Sequence, residues 1–388
     1  MKNIYSLLLL LLLLLFTLSS FAQEDSTASY HYRLVHLGIV PPISTNGKEA
    51  REYTNTFSLH LLWGESQHEY GLAISGLANI VRNSASGIQI AGLVNRIGYD
   101  RSGSWPADFS NYVNGEGKGL AIAGLSNTAY KYDGVQIAAF NRSAIQNGIQ
   151  IGAANGTHTL NGLQIGMANG AGNMKGLQIG MMNFADTVKG LQIGIFNERK
   201  SGGVQIGIMN FADHNDWPIG IVNLIKDGDK KIGISVDEIA STIISYRSGG
   251  RYLYGVVGLG YNFKSDHHHM VIETGLGGHI HLSERFRIDN EVTWTALSVS
   301  DIKNGWKDED EKDDHNFRLL YKASYRLLPV FKCSERIEIF GGPTINYMWS
   351  RHLDNRHIFP SKHLWRDFSD KILKQVHLGG IIGVQYIF

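Results

Sequence analysis

The hydrophobic and polar residues between Gly134 and Asn223 repeat one short unit, which reads GLQIGMAN or GLQIGMMN in its clearest copies. Read at a period of two, one side of the unit carries Leu163, Ile165, Met167 and Asn169, and the other carries Gly162, Gln164, Gly166 and Ala168. This alternation is typical of a β-strand. A helix is disfavoured, because two glycines in every eight residues would each cost roughly 1 kcal/mol. Each unit is therefore predicted to be a strand with one apolar face.

The copies follow one another at a fixed spacing of 14 residues, with a last step of 13. Their leading glycines are Gly134, Gly148, Gly162, Gly176, Gly190 and Gly203, and their closing asparagines are Asn141, Asn155, Asn169, Asn183, Asn197 and Asn210. Such a fixed period indicates tandem duplication of a small structural unit. Looser copies begin at Gly71, Gly87 and Gly119, so the repeats extend over about residues 70–223. The segment 99–118 is rich in Gly, Ser and Asn and is predicted to be a long exposed loop.

Repeated amphipathic strands fit two architectures. They can form an antiparallel barrel whose Leu/Ile/Met face contacts lipid, or a solenoid with that same face as its core. A solenoid with a 14-residue coil would stack the asparagines in a ladder. Such a coil encloses little core, however, so the repeats alone leave both architectures open.

The C-terminal third alternates more regularly than the repeats. Met270, Ile272 and Leu276 share one face of a predicted strand, with Glu273 and His279 on the other. Similar strands follow over 285–296 and 317–327, each about as long as the 9–11 residues that cross a membrane in a barrel. Short turns at 283–284 and 329–335 alternate with long connections at 299–315 and 350–374. This asymmetry favours a membrane β-barrel over a soluble sandwich.

Charged residues in these strands fall opposite the apolar faces. Burying them in lipid would be costly, so we expect them to face the barrel interior. The predicted interior residues are Arg285, Arg287, Asp289, Glu291, Arg318, Lys322, Arg326, Arg336 and Glu338. They could neutralise one another and close the interior, or line a wet path through it.

The N-terminus predicts export. Residues 1–22 contain Lys2, an apolar block and Ser20-Phe21-Ala22, the pattern of a cleaved secretory signal peptide. After residue 22, no apolar run is long enough for a spanning helix. If the mature chain enters a membrane, it must therefore do so as a closed barrel. A net charge of +1 argues against a nucleic-acid partner, and the single cysteine, Cys333, excludes a disulfide framework.

The last strand carries a known type of signal. Gly383, Tyr386 and the terminal Phe388 resemble the end of bacterial outer-membrane β-barrels, although Ile381 stands where that signal usually has a polar residue. Together with the GxQIGxxN units, the mature chain resembles the surface-repeat outer-membrane proteins of Gram-negative bacteria. The resemblance implies contact with outer-membrane lipid and with the barrel-assembly machinery. It implies no established biochemical activity.

Local chemical motifs are weak. Three adjacent histidines, His267 to His269, do not converge on one ion along an extended chain. The acidic run 308–314 lacks the glycine and ligand spacing of a calcium loop. The sequence contains no G-x-S-x-G, HExxH or Walker motif. We therefore expect no enzyme activity, no cofactor and no metal site.

These observations predict an all-β protein. The expected fold is an antiparallel outer-membrane barrel of about 16–20 strands with the repeats in its wall; the alternative is a β-solenoid followed by a smaller C-terminal barrel. The expected segments are a signal peptide (1–22), N-terminal strands and a loop (23–69), repeat strands (70–223), weak connecting strands (224–250) and C-terminal barrel strands (251–388). The expected function is a passive channel or structural envelope protein. The alternative function is a surface interaction protein whose repeats bind a partner and whose C-terminal strands anchor it.

Overall fold

A computed structural model of the protein describes residues 31–98, 100–264, 269–299, 318–351, 353–369 and 372–388. The chain divides into two compact units, Met1–Ala185 and Asp186–Phe388. The predicted signal peptide, His267 and His268, and the acidic run 308–314 lie outside the described residues.

The described part of the first unit is built from coils of parallel strands. Its elements are β1 (His31–Val40), β2 (Ile43–Ser44), a 3-10 helix (Gly47–Glu52), β3 (Tyr53–His60), β4 (Trp63–Ser75), β5 (Ala78–Ala91), β6 (Val94–Ile97), β7 (Asp100–Ala107), β8 (Ser110–Ala123), β9 (Ser126–Ile137), β10 (Phe140–Ile151) and the first part of β11 (Ala154–Ser201). Equivalent residues of successive repeats lie side by side, as Gly148 does with Gly162 and Gln150 with Gln164. Only the short β2 pairs antiparallel here, with β1. The repeats therefore form a β-solenoid, as in the alternative architecture, and their assignment to the wall of a barrel of 16–20 strands is wrong.

The interior of the solenoid contains polar amides beside apolar residues such as Leu160 and Met174, which corrects the predicted core of Leu, Ile and Met from the repeat face. Gln164 and Asn169 are both buried, whereas Met167 is 59% exposed. A straight strand would place Asn169 on the same side as Met167, so the chain changes direction between Gln164 and Asn169 and both amides turn inward. The amides are tolerated there because each meets an identical amide in the next coil.

The amides form two ladders along the first unit. Asn141 Nδ2 donates to Asn155 Oδ1, and Asn155 Nδ2 to Asn169 Oδ1, each at 2.9 Å. Gln164 Nε2 likewise donates to Gln150 Oε1 at 2.8 Å. The asparagine ladder expected of a solenoid is therefore present.

The leading glycine of each repeat is required by close packing of the coils. Gly162 has φ +147°, and a Cβ atom at this position would lie 2.0 Å from the carbonyl oxygen of Gly148. The same holds for Gly176, where a Cβ atom would lie 1.9 Å from the carbonyl oxygen of Gly162. A side chain at either position would push the stacked coils apart.

The long loop predicted over 99–118 is wrong for its described part, residues 100–118. Asp100–Ala107 forms β7, in which Gly103 lies between Gly87 and Gly119 of the neighbouring coils. Asn111, at the start of β8, accepts a hydrogen bond from Asn95 at 3.0 Å and donates to Asn127 at 2.8 Å. The segment is therefore a diverged copy of the repeat.

The second unit contains the end of β11, two further parallel strands and a closed antiparallel barrel. The parallel strands are β12 (Val204–Ala212) and β13 (Pro218–Ile225). The barrel strands are β14 (Asp229–Asp237), β15 (Ser241–Gly249), β16 (Leu253–Asn262), β17 (His269–His281), β18 (Phe286–Val299), β19 (Arg318–Lys332), β20 (Ile337–Ser350) and β22 (Ile372–Ile387). Each pairs antiparallel with its neighbours, and β14 closes on β22 through pairs such as Ile234 with Val384. A 3-10 helix (Leu353–Ile358) and β21 (Trp365–Ser369), which pairs with β22, lie in the last connection.

The barrel therefore has eight strands and begins at Asp229. Residues 224–250, predicted to be weak connecting strands, supply the end of β13 and the barrel strands β14 and β15. Short turns after β15, β17 and β19 lie at one end of the barrel, which also holds the start of β14 and the C-terminus. We call this the tight-turn end, and the opposite end the long-connection end.

Within the second unit, β13 packs against the outer face of the barrel near the tight-turn end. The backbone N–H of Asn223 donates to Ser248 Oγ at 3.0 Å, and the rings of Trp217 and Tyr252 stack at 4.6 Å. A Cβ atom on Gly255 would lie 2.0 Å from the carbonyl oxygen of Ile221. Glycine at this outward position of β16 thus allows the last coil to approach the barrel wall.

Candidate functional site

The interior of the barrel holds most of the buried charged side chains of the described residues. Its buried charged residues are the cations Lys231, Arg247, Arg287, Lys322 and Arg326 and the carboxylates Asp237, Glu273, Asp289, Glu291 and Glu338. Five positive and five negative groups are thus buried there, and the less buried Glu238 and Asp229 contact Lys322 and Lys231. They lie there because strand alternation turns every second residue inward.

The central part of this network surrounds Glu291. Arg247 Nε donates to Glu291 Oε1 at 2.7 Å, and the Tyr254 hydroxyl donates to the same oxygen at 3.0 Å. Arg326 Nη1 donates to Glu291 Oε2 at 3.4 Å and to Glu273 Oε1 at 3.0 Å. Two arginines and two glutamates from β15, β17, β18 and β19 are therefore joined across the barrel.

A second group lies towards the tight-turn end. Arg287 Nε donates to Asp289 Oδ1 at 2.9 Å, and its Nη2 donates to Glu338 Oε2 at 2.6 Å. His279 Nδ1 lies 2.7 Å from Asp289 Oδ1, and Lys231 Nζ lies 3.7 Å from Glu338 Oε2. Each carboxylate in this group faces at least one cation.

A third group and an apolar cluster lie towards the long-connection end. Lys322 pairs with Asp237, while Asn346 Nδ2 donates to Glu238 Oε1 at 2.9 Å. Beyond them, inward residues of the strands pack with two residues from the last connection, Ile358 and Phe359. The cluster comprises Ile239, Ile243, Val271, Leu297, Leu320, Met348, Ile358, Phe359 and Leu373. An eight-stranded barrel is just wide enough for side chains to fill, and here ion pairs and this cluster fill it.

The predicted interior residues have different positions in the structure. Arg287, Asp289, Glu291, Lys322, Arg326 and Glu338 are buried in the barrel. Arg285 and Arg336 do not line the interior, because both lie exposed in tight turns. Arg318 belongs to β19, but its side chain lies outside the described residues.

Sequence reasoning missed several interior groups. Lys231, Asp237 and Arg247 lie in β14 and β15, strands of nine residues each, in which the alternation is shorter than in β17 to β20. Glu273 lies on the predicted polar face of its strand, but the alternation alone does not predict its pairing with Arg326. The useful signal was alternation across residues 231–237, in which Lys231, Gly233, Ser235 and Asp237 are opposed by Ile232, Ile234 and Val236.

The predicted assembly signal lies on the last strand. A Cβ atom on Gly383 would lie 2.4 Å from Phe340 Cζ, so glycine leaves room for this inward ring. Arg336 Nη1 donates to the Tyr386 hydroxyl at 3.1 Å, and the Tyr386 and Phe388 rings meet edge to face at 5.4 Å. Phe388 is exposed.

The outer surface of the barrel is apolar. Val292 is 63% exposed, Ile382 66% and Ile244 60%. Aromatic residues concentrate near both ends. Towards the long-connection end, Trp349 contacts Trp294 with ring centroids 4.9 Å apart and stacks on Tyr321 at 5.3 Å. Towards the tight-turn end, exposed aromatic residues are Phe286, Phe331, Tyr386 and Phe388.

A separate buried polar cluster fills the first coils of the solenoid. His60 Nε2 lies 3.2 Å from His36 Nδ1, and Asn55 Nδ2 donates to Glu69 Oε1 at 2.9 Å. Burial lowers the pKa of His36 to about 3 and that of His60 to about 4. Burial also raises the pKa of Glu69, while hydrogen bonds from Asn55 and Ser58 oppose that increase.

This cluster continues the asparagine ladder with other side chains. His60 Nδ1 lies 3.2 Å from Ser75 Oγ, which donates to Asn79 Oδ1 at 2.6 Å. Within the described residues, no group of three or more His, Cys, Asp or Glu side chains could hold a metal ion. These hydrogen bonds satisfy buried polar groups in the first coils of the solenoid.

Strand pairing thus defines the class of protein: an all-β chain with a parallel β-solenoid region and an eight-stranded antiparallel barrel. No helix among the described residues is both long and apolar enough to cross a membrane.

Comparisons with known proteins add little to this class. No family model matches the sequence, and no curated protein matches it. A solved structure described as "De novo design of transmembrane beta-barrels" is similar over 42% of this chain and 94% of its own, with 13% sequence identity and a TM-score of 0.21. The fold therefore rests on the strand pairing and not on this similarity.

Proposed function

We propose that the protein is an outer-membrane surface protein in which the eight-stranded barrel is a closed anchor that carries the solenoid. The observation that supports this proposal is the inverted barrel: charged side chains are inside and large apolar side chains are outside. A water-soluble barrel would gain stability from the opposite arrangement, because apolar surface is driven out of water. In a bilayer, hydrocarbon covers that outer surface.

The filled interior favours an anchor over a passive channel. Ion pairs cross the barrel at three levels, and the apolar cluster with Ile358 and Phe359 fills the long-connection end. Water-filled channels are typical of barrels with about twice as many strands. The resemblance of the last strand to outer-membrane barrels supports insertion by the barrel-assembly machinery, with Gly383, Tyr386 and Phe388 as the recognised residues.

The membrane location is tested by moving one charge along the outer surface. Val292 lies at the middle of β18, and Leu282, with 57% exposure, lies at the tight-turn end of the barrel. In liposomes, Val292→Arg is expected to lower the free energy of unfolding by about 2–4 kcal/mol, and the matched control Leu282→Arg by about 0–1 kcal/mol. Both values are measured by denaturant unfolding followed through tryptophan fluorescence.

Two outcomes would contradict the anchor. Equal, small effects of the two substitutions would show that the depth of the charge is unimportant and that water covers the outer surface. A steady single-channel conductance of the wild-type protein in planar bilayers would show an open path and return the proposal to a passive channel. The closed anchor predicts insertion without such a conductance.

A further inference from the structure

An open depression of about 360 Å³ lies in the second unit, where the last coils end and β14 begins. Four cationic side chains line it: Arg199, Lys200, Lys226 and Lys230. Two carboxylates, Glu198 and Asp213, also line it, and both are exposed. Its lining therefore carries more positive than negative charge.

Arg199 is the unusual member of this group, because its side chain is buried without a partner. The residue is 3% exposed, and neither Nε nor Nη1 has a hydrogen-bond partner among the described residues. Burial lowers the pKa of Arg199 to about 10, and no nearby carboxylate reverses this effect. A buried guanidinium without a counter-charge is costly, since it loses its water and gains no partner.

One cation of the depression, Lys200, has a carboxylate partner. Its Nζ lies 2.7 Å from Asp186 Oδ1, and Asp186 raises the pKa of this ammonium group most, with smaller contributions from Asp213 and Glu198. Lys230 Nζ donates to the backbone carbonyls of Ile225 at 2.6 Å and Lys226 at 3.2 Å. Together with the carbonyl of Gly228 at 3.5 Å, these acceptors use all three N–H groups of Lys230, so its ammonium group contributes positive charge to the depression but no further hydrogen bond.

Lys226 completes the charged group. It is exposed, and within the described ranges it forms no ion pair with a carboxylate. The depression therefore combines one buried guanidinium, one fixed ammonium group and one free ammonium group. This combination suits a group with several charged oxygen atoms, because guanidinium and ammonium donors both bind phosphate strongly.

We propose that this depression binds a phosphate group through Arg199, Lys226 and Lys230. The phosphate can belong to an anionic phospholipid headgroup or to free inorganic phosphate. Lys230 lies at the tight-turn end of the barrel, where its carbonyl oxygen accepts a hydrogen bond from the N–H of the terminal Phe388 at 3.0 Å. A headgroup at the edge of a bilayer around the barrel would lie at this level, so the lipid source rests on the proposed function.

The phosphate site is tested first on the full mature chain in detergent micelles. Thermal unfolding is measured while inorganic phosphate is titrated at constant ionic strength, with chloride as the comparison. Phosphate is expected to raise the Tm of the wild-type protein, because a ligand of the native state stabilises it. Lys226→Gln is expected to weaken the apparent affinity roughly tenfold. Lys264→Gln, an exposed control at the long-connection end, should leave the affinity unchanged.

The Arg199→Met variant distinguishes a site from a merely structural arginine. Without phosphate it should have a higher Tm than the wild type, because it removes a buried charge that lacks a partner. With phosphate its Tm should not change. The proposal is overturned if phosphate leaves the wild-type Tm unchanged, or if Arg199→Met and Lys226→Gln both respond to phosphate as the wild type does.

A second measurement separates the two sources of phosphate. The proteins are placed in nanodiscs of phosphatidylcholine mixed with phosphatidylglycerol, and lipids that remain bound after detergent extraction are identified by native mass spectrometry. Retention of phosphatidylglycerol by the wild type and Lys264→Gln, but not by Arg199→Met or Lys226→Gln, supports a headgroup. Phosphate binding without lipid retention supports free phosphate. Failure to enter nanodiscs contradicts the membrane anchor but leaves the micelle result standing.

Discussion

The charge network around Glu291 makes the sharpest prediction about stability. Glu291→Gln keeps the size of the side chain but removes its charge. Arg247 then loses its carboxylate partner, whereas Arg326 keeps Glu273. Because Glu291 and Arg247 are buried, the loss leaves an uncompensated charge inside the barrel. Removing one partner of a buried pair costs about 3–5 kcal/mol, which is the expected loss in the free energy of unfolding.

The second substitution shows whether the cost comes from charge. Arg247→Met removes the orphaned cation, although it also removes a stacking contact with the Phe340 ring at 4.7 Å. We expect the double variant Glu291→Gln/Arg247→Met to be at least about 2 kcal/mol more stable than the sum of the single effects predicts. Guanidinium unfolding of the refolded protein, followed by tryptophan fluorescence, measures all four corners of this cycle.

Glu335→Gln is the matched control, because Glu335 undergoes the same chemical change at an exposed position in a tight turn. Its effect should stay within about 0.5 kcal/mol. The reasoning is refuted if Glu291→Gln costs no more than this control. It is also refuted if the two single effects add in the double variant, since the arginine and glutamate would then act independently.

Two further predictions concern the solenoid. The pKa values of His36 (about 3) and His60 (about 4) lie below the unfolded value of 6.5, so the unfolded chain binds more protons between these limits and stability falls as pH decreases from 6.5. At pH 5, each histidine should lower the free energy of unfolding by on the order of 2 kcal/mol. Glu69 partly offsets this loss, because its raised pKa gives a contribution to stability that is present at low pH and lost as pH rises. Hydrogen exchange of β3 amides, corrected for intrinsic rates, checks this; unchanged protection at pH 5 contradicts it. Gly162→Ala should lower the Tm far more than the control Gly156→Ala, where an added Cβ meets no atom within 4 Å. Equal Tm losses would contradict the close packing of the coils.

The alternation of the C-terminal strands was sufficient to predict the barrel faces. Inward and outward residues of β17 to β20 follow a period of two, and a shift by one residue would place the charged side chains on the outer face. The number of strands could not be obtained in the same way. A single repeat strand has the same amphipathic pattern in a barrel wall and in a solenoid, so counting patterns gave 16–20 strands instead of eight.

A barrel wall and a solenoid can be told apart by whether the same residue recurs at a fixed spacing along the chain. Asn155 and Asn169 can meet only when neighbouring repeats run parallel and in register. The diverged copy at 99–118 was missed because it keeps little more than Gly103 and Asn111, each 16 residues from its counterpart in the previous coil. Its other residues no longer match the repeat, and the composition resembles that of a loop.

The polar interior of the solenoid could not be predicted from one repeat, because its stability depends on neighbouring coils. An isolated buried glutamine is costly, whereas Gln164 is satisfied by Gln150 and Gln178. The charged groups of the barrel obey the same rule, since Arg326 is satisfied by residues of β17 and β18. In both regions, the environment of a side chain is determined by which strands are neighbours.

Polar pairing therefore controls register in the solenoid together with apolar clusters such as that of Val113, Ala121, Ala129 and Tyr132. The asparagine ladder shows this most clearly, because the coil length changes while the asparagines stay paired. Consecutive partners are 16 residues apart from Asn79 to Asn127, 14 apart from there to Asn183, and 13 apart from Asn197 to Asn223. Some of the extra residues are absorbed away from the ladder, as at the shift in pairing between Val113 and Glu116. A broken ladder would leave buried amides unsatisfied, whereas a bulge on another side of the coil only lengthens the turn.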